Sequence, residues 1–285
     1  MIKKQQNIFK FIIFILFILM IYSAIIEPSL LIVKKYNLDK NGKMIENRDE
    51  FSENKNNIKI VHITDTQIGY FYSAKRLNNL SKKINNLEPD IVVFTGDLID
   101  YANKNPKVEE IAKNLSKIKA KIGKFAVFGN HDYMYELPKH YTKIMEDSGF
   151  ELLVNQNRRI EVGKENYINI IGLDEVLHGR PAIELYDKKI KSEDFNLVLI
   201  HNPDVIDEFK NSKIDLALAG HSHGGQVSIP FKGPVLTPPY GSKYTKGFYN
   251  INGNNLYVSS GLGSTKLPFR FMNIPEIVEF NILFE

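Results

Sequence analysis

Leu218-Ala219-Gly220-His221-Ser222-His223-Gly224-Gly225-Gln226 sets two histidines one residue apart between glycines, at the end of an apolar run from Ile214 to Ala219. The run reads as a buried strand that Gly220 ends. A strand end is a rigid place to hold an imidazole, and glycine lets the backbone come close to a charged centre. Taken alone, the His-x-His pair fits two solvated loop histidines as well as it fits two metal ligands. Four other apolar strands also end in ligand-type residues, and that changes the balance.

Those strands lead from Val61-His62-Ile63-Thr64 to Asp65-Thr66-Gln67, and from Val92-Val93-Phe94-Thr95 to Gly96-Asp97. Two more lead from Ala126-Val127-Phe128 to Gly129-Asn130-His131-Asp132, and from Val198-Leu199-Ile200 to His201. In an open α/β sheet, sites form outside the carboxyl ends of the strands. Five such ends can meet there with carboxylate, amide and imidazole groups. That mixture is wrong for calcium or magnesium alone, which take oxygen shells. It is also wrong for a closed structural zinc site. It suits Mn, Fe, Zn or Co. Seven ligand positions exceed the needs of one ion, and two ions sharing a bridging carboxylate fit better.

Between these strands, Leu77, Leu80, Ile84 and Leu87 mark an amphipathic helix over Ser73 to Leu87. Val108, Ile111, Leu115 and Ile118 mark another. Tyr167 to Ile171 reads as a further buried strand, Phe248 to Ile251 and Leu256 to Ser259 as a hairpin around Asn252-Gly253-Asn254, and Pro275 to Ile282 as a closing strand. Ser29 to Tyr36 reads as a strand and Asn37 to Asn57 as a polar connection with a turn at Asn41-Gly42. The expected fold class is α/β: two packed mixed β-sheets flanked by helices, an α/β/β/α sandwich, preceded by one N-terminal transmembrane helix. The expected division is residues 1–28 as cytoplasmic tail and anchor and 29–285 as one catalytic domain.

The motif order D-x-Q, G-D, G-N-H-D, H and G-H-x-H resembles the calcineurin-like metallophosphoesterase superfamily. Within it, Glu27-Pro28 after an apolar segment, Gly224-Gly225-Gln226, Gly261-Leu262-Gly263, Leu267-Pro268-Phe269-Arg270 and Pro275-Glu276-Ile277 resemble the membrane-anchored bacterial branch typified by YkuE and YaeI. The resemblance covers nearly the whole chain. It implies that Asp65, Gln67, Asp97 and His223 hold the first divalent ion. Asp97 then bridges, and Asn130, His201 and His221 hold the second. A water between the ions becomes the attacking hydroxide, and the ions clamp the phosphoryl oxygens of a phosphodiester or phosphomonoester. His131 faces the leaving-group oxygen, and Asp132 orients its imidazole. Two positions depart from the pattern. Gln67 stands where the family usually has histidine, which weakens the first site and favours Mn²⁺. Ser260 stands where arginine is expected, with loss of a phosphate or backbone clamp.

The N-terminal segment stands apart. Lys3, Lys4 and Lys10 precede sixteen uncharged residues, Phe11 to Ile26. Extended back over Lys10 to Ile8, the run is long enough to span a bilayer with Lys10 snorkelling. The positive flank places the rest of the chain outside the cytoplasm, against which Lys34 and Lys35 count. A cleaved signal peptide competes with this reading, but Tyr22 spoils its small-residue site. A cytoplasmic, monotopic arrangement is the other alternative. With no cysteine there is no disulfide framework and no thiolate site. The net charge of +4 is spread along the chain without an aromatic-interleaved basic cluster, so no nucleic-acid partner is expected.

The expected partner is a phosphate-ester substrate, lipid-linked in one version: a UDP-2,3-diacylglucosamine-type pyrophosphatase. A phosphoesterase-like binding protein with a weakened metal site is the competitor from another class. Asp100 is read as a solvated or helix-capping carboxylate, His62 as a core or supporting histidine, and His140 and His178 as surface residues. Phe231 to Phe248 is read as a loop near the mouth of the site.

Overall fold

The computed structural model describes residues 2–46, 57–100, 106–163, 165–188 and 190–284. Its first element, α1 (Ile2–Ile21), runs on through a π-helical turn (Tyr22–Ile26) and a last helical turn (Glu27–Ser29). The strand expected from Ser29 therefore begins later, as β1 (Ile32–Asp39). The wider π turn closes with the Glu27 N–H on the Tyr22 carbonyl. Pro28, which has no N–H to lose, sits inside the helical end instead of stopping it.

The remaining chain alternates strands and helices: β2 (Asn57–Ile63), α2 (Arg76–Asn85), β3 (Ile91–Phe94), α3 (Val108–Leu115), β4 (Gly123–Ala126), α4 (Leu137–Asp147) and β5 (Glu151–Leu152). Then come β6 (Gln156–Gly163), β7 (Asn166–Gly172), α5 (Ile183–Asp187), β8 (Phe195–Leu199) and β9 (Leu216–Ala219). A small hairpin, β10 (Ser228–Ile229) and β11 (Gly233–Pro234), precedes β12 (Gly247–Ile251), β13 (Asn254–Val258) and β14 (Glu276–Leu283). One six-stranded sheet has the order β1-β14-β2-β3-β4-β5 and the other β12-β13-β9-β8-β7-β6. Both are mixed: β2, β3, β4 and β5 run parallel, as do β7, β8, β9 and β13, while β14 and β2 pair antiparallel. This is the expected fold class.

Alternation of side chains across each strand builds the layers. In β3, Ile91 and Val93 face the second sheet, where they join Leu197, Leu199, Leu216 and Leu218 in one core. Val92 and Phe94 face the helices instead, packing with Leu77, Leu80 and Ile84 of α2 and Ile111 and Leu115 of α3. The outer face of the second sheet, with Val198 and Ala217, is covered by Val205, Ile206 and Tyr186. Strands buried on both faces read as continuous apolar runs, which is why their sequences were legible. The β12–β13 hairpin turns at Asn252 (φ 52°) and Gly253 (φ 90°), the left-handed pair that an Asn-Gly turn supplies. Gly42 turns after β1 as expected, and residues 47–56 of the polar connection lie outside the described residues.

Several elements escape the sequence reading, β6 and α4 the longest of them. β6 carries Gln156, Asn157, Arg158 and Arg159, largely exposed at a sheet edge, so it has no apolar signal. In α4, Leu137, Tyr141, Ile144 and Met145 do follow helical spacing and are buried. Pro138 at its first turn is compatible with a helix start rather than a break.

Candidate metal centre

The carboxyl ends of β2, β3, β4, β8 and β9 converge between the two sheets. Asp97 sits at the middle. Asp65, Asp97 and His223 offer ligand atoms within 4.8 Å of one another, and so do Asp97, His201 and His221. All of these residues are buried, and Asp97 belongs to both groups.

The second group can be built atom by atom. His201 Nδ1 lies 2.7 Å from the Thr95 carbonyl, which can only accept, so Nδ1 carries the proton and Nε2 presents a lone pair in the neutral ring. His221 Nε2 donates to the Pro239 carbonyl at 2.8 Å, so its Nδ1 presents the lone pair. That Nδ1 lies 3.2 Å from His201 Nε2. Asn130 Oδ1 lies 3.1 Å and Asp97 Oδ1 3.4 Å from the same His201 nitrogen. Four acceptor atoms thus face one another in a buried pocket. Such a set repels itself unless a cation stands among the atoms. A proton can stand in for that cation: burial alone would lower the His201 pKa, but Asp97 outweighs it and pushes it up to about 10. His221, buried and beside His201, is pushed down to about 3. For Asp97, burial acts upward, but His201, His131 and His221 outweigh it and hold the carboxyl well below the carboxylate range.

The first group is less complete. His223 Nε2 is 3.3 Å from Asp65 Oδ1. Gln67 donates from Nε2 to Asp97 Oδ2 at 2.7 Å, while its Oε1 is buried without a partner. An orphaned amide oxygen costs about 1–3 kcal/mol, and a cation would satisfy it. Asp65 accepts from Thr64 Oγ1 and from the His221 backbone N–H. Burial, with Asp97 close by, pushes its pKa up to about 7. On these grounds the donor set fits two divalent ions, the second position better than the first.

The backbone is bent to make this possible. Asp65, Gln67, Asp97, His221 and His223 all have left-handed φ, between 49° and 67°. Each costs on the order of 1–3 kcal/mol and persists only where the surroundings enforce it. Two glycines are among the enforcers. A Cβ on Gly220 would lie 2.0 Å from Asp65 Oδ2, and one on Gly129 would lie 2.2 Å from Asp97 Oδ1.

His131 lies at the rim, its backbone N–H on Asp97 Oδ1 (2.8 Å) and its Nε2 4.0 Å from Asp97 Oδ2. The expected role of Asp132 needs correction. Its buried carboxylate accepts from the backbone N–H groups of Asp97 (2.7 Å), Leu98 (3.0 Å) and Gly129 (2.9 Å). Asp132 therefore positions the backbone that carries Asp97, rather than the neighbouring imidazole. Asp132→Asn must turn an N–H₂ toward one of those donors. We expect a loss of about 1–3 kcal/mol in stability, read by denaturant unfolding of the metal-free protein; an unchanged midpoint would leave these bonds without consequence.

Other expectations sort cleanly. His62 is buried and bonds Thr95 Oγ1 at 2.7 Å, so it supports the residue that orients His201. His178 is exposed and His140 half-buried. Asp100 is only 4% exposed, its N–H on the Ile68 carbonyl, so it is not the solvated carboxylate of the expected alternatives. Pro239 and Gly241 of the 231–248 segment lie directly on His221. Ser260 is buried, its N–H on Glu276. The guanidinium near the centre comes from Arg270 instead, fully buried, with Nη2 3.4 Å from His223 Nδ1 and further bonds to the carbonyls of Gly263 and Asn273. Sequence reading gave Arg270 no role. The available cues were its place in Leu267-Pro268-Phe269-Arg270, a stretch that carries the resemblance, and its being a lone cation inside Pro268-Phe269-Arg270-Phe271-Met272.

Residues 58–225, which span the ligand motifs, match the family model described as calcineurin-like phosphoesterase. The chain is 34% identical to metallophosphoesterase YkuE of Bacillus subtilis over 224 residues, 79% of this chain and 78% of that one. It is 27% identical over 320 residues to UDP-2,3-diacylglucosamine pyrophosphatase LpxG of Chlamydia trachomatis, covering 91% of this chain and 92% of that one. Among solved structures, a dimetal phosphatase from Danio rerio aligns with a TM-score of 0.43 and 12% identity, over 72% of this chain and 88% of that one. From the family match and the extent of its likeness to YkuE, the chain belongs to the calcineurin-like phosphoesterase family.

Proposed function

We propose that this protein is a membrane-anchored phosphoesterase that works with two divalent ions. The observation that carries the reading is the set of acceptor atoms around His201 Nε2, sharing Asp97 with a second carboxylate–imidazole group. In this reading Asp65, Gln67, Asp97 and His223 hold one ion, and Asp97, Asn130, His201 and His221 the other. Bound ions of this kind supply a water acidic enough to attack near neutral pH and a clamp for phosphoryl oxygens. The protein's own part is orientation. Thr95 and Pro239 fix the imidazole tautomers, and Asp132 fixes the loop bearing Asp97. His131, 11% exposed at the rim, is placed to hand a proton to a departing alkoxide or to bind a phosphoryl oxygen. Hydrolysis of bis(p-nitrophenyl) phosphate with added Mn²⁺, beside elemental analysis of the purified chain, tests the proposal. Two bound equivalents with metal-dependent hydrolysis are expected; neither metal nor turnover would leave a binding protein.

A lipid-linked pyrophosphate substrate is the more specific version. Its support is the likeness to LpxG along 91% of the chain and the helix that precedes the domain. Lys3 to Ser29 form an apolar helix whose side chains are largely exposed. We read residues 1–28 as an anchor and 29–285 as the catalytic domain. Because Lys3, Lys4 and Lys10 outweigh Lys34 and Lys35, the domain should lie outside the cytoplasm. Protease added to intact spheroplasts is then expected to degrade it, and full protection of membrane-bound protein would place it inside.

A further inference from the structure

The catalytic domain is tied to the turns that follow α1 and flanks the last residues of that helix. Arg270 N–H donates to the Ser23 carbonyl (2.8 Å), Asn273 N–H to the Glu27 carboxylate, and Tyr22 meets Phe271 edge to face. Farther back, Leu16, Leu19 and Met20 line one cleft with Val227, Phe269 and Phe271. If the span starts at Ile8, with Lys10 snorkelling, Leu16 lies roughly 12 Å and Ser23 roughly 22 Å along the helix at 1.5 Å per residue. Both fall short of the roughly 30 Å hydrocarbon thickness. The parts of the domain beside them then enter the membrane too.

Their composition fits that position. Between Gly224 and Gly241, and between Gly261 and Pro275, there is no acidic residue. Ile229, Phe231, Val235, Leu236, Leu267 and Met272 are exposed, with Lys232 and Lys266 exposed among them. Phe231, at the tip of the β10–β11 hairpin, is wholly exposed and has φ 65°; Met272 has φ 61°. A left-handed bend costs about 1–2 kcal/mol at such residues, and Phe231 recovers none of it by burial within the fold. The hairpin is tied to the α1-contacting loop, since Ser228 N–H donates to Phe271 O. It leads through Val235 and Leu236 to Pro239, whose carbonyl orients His221.

We propose that the β10–β11 hairpin, Val235–Leu236 and the Leu267 and Met272 rim insert into the bilayer beside α1. The metal centre then opens at the lipid headgroup layer, its lysines meeting anionic headgroups. This rests on the reading of α1 as a membrane helix and names the surface on which the proposed phosphoesterase works.

The chain has no tryptophan, so a single introduced one reports its own surroundings. Full-length Phe231→Trp is placed in phosphatidylcholine/phosphatidylglycerol nanodiscs, with Leu185→Trp on α5 as comparison. Blue-shifted emission at 231, reduced by about half when the acyl chains are brominated, is expected, with little change at 185. Water-like, unquenched emission at 231 overturns the proposal. Blue emission without bromolipid quenching also overturns it, since a second copy or another protein then covers the patch. Failure of the chain to enter nanodiscs overturns anchor and insertion together. Independently, Phe231→Asp/Leu236→Asp should lower hydrolysis of a bilayer-embedded phosphatidyl-p-nitrophenol about tenfold or more, from two lost side-chain burials. It should leave bis(p-nitrophenyl) phosphate hydrolysis unchanged. An equal loss on both would mean a folding defect and sink the insertion, whereas wild type inactive on both would count against the enzymatic reading and leave the fluorescence result standing.

Discussion

Asp97→Asn is expected to abolish hydrolysis and to lower metal content at both positions together. Every contact of this side chain is shared. Oδ1 accepts from the His131 N–H and faces His201 Nε2; Oδ2 accepts from Gln67 Nε2. It is the one residue common to both ligand groups among the described residues. Asparagine keeps the volume but removes the charge, and it turns an N–H₂ toward one of the two groups. Several kcal/mol of charge stabilisation disappear at once, or roughly a thousandfold in rate or more. Elemental analysis and the turnover of a soluble diester read the outcome. A variant with two ions and wild-type rate would show that Asp97 does not bridge.

That prediction could be written from the sequence, and the reason is physical. A strand buried on both faces must be an apolar run, so β2, β3, β8 and β9 announce themselves. The residue that follows such a run sits at a sheet end, and Asp65, Asp97, His201 and His221 could be placed together on that ground alone. What joins distant segments without a local pattern was not legible. Arg270 reaches His223 across 47 residues, and no spacing rule connects them. Asp132 illustrates a subtler failure. Its neighbour in sequence is His131, but its partners are the Asp97 and Leu98 amides on another loop. Sequence adjacency suggested a carboxylate–imidazole pair; the three-dimensional fold spends the carboxylate on backbone. β6 was missed because an exposed edge strand has no need of apolar alternation.

Gln67→His is expected to tighten the first ion while leaving the second nearly unchanged. The two positions are unequal already. At the second, tautomers fixed by Thr95 and Pro239 aim lone pairs inward. At the first, the Arg270 guanidinium can only donate, and it sits against His223 Nδ1. In a neutral ring this leaves the proton on Nε2, the atom that faces Asp65, so an ion must displace that arrangement before His223 can ligate. Burial and Arg270 together hold the His223 pKa well below its ordinary value, so the ring is neutral. Gln67 adds a second mismatch, since its N–H₂ rather than its oxygen points at Asp97. An imidazole at position 67 restores a borderline-metal donor and removes the amide's competing bond, worth about 10–100-fold in affinity by the scale of ligand-shell changes. The wild type should need more added metal for full activity than the variant, and should respond best to Mn²⁺. His223→Gln is the opposing control, because it leaves two amides and no imidazole at the first position. Calorimetric titration of the chelator-treated protein with Mn²⁺ and Zn²⁺ separates the cases. Superimposable curves for wild type and Gln67→His would mean that Gln67 holds Asp97 in place through its N–H₂ and never touches an ion.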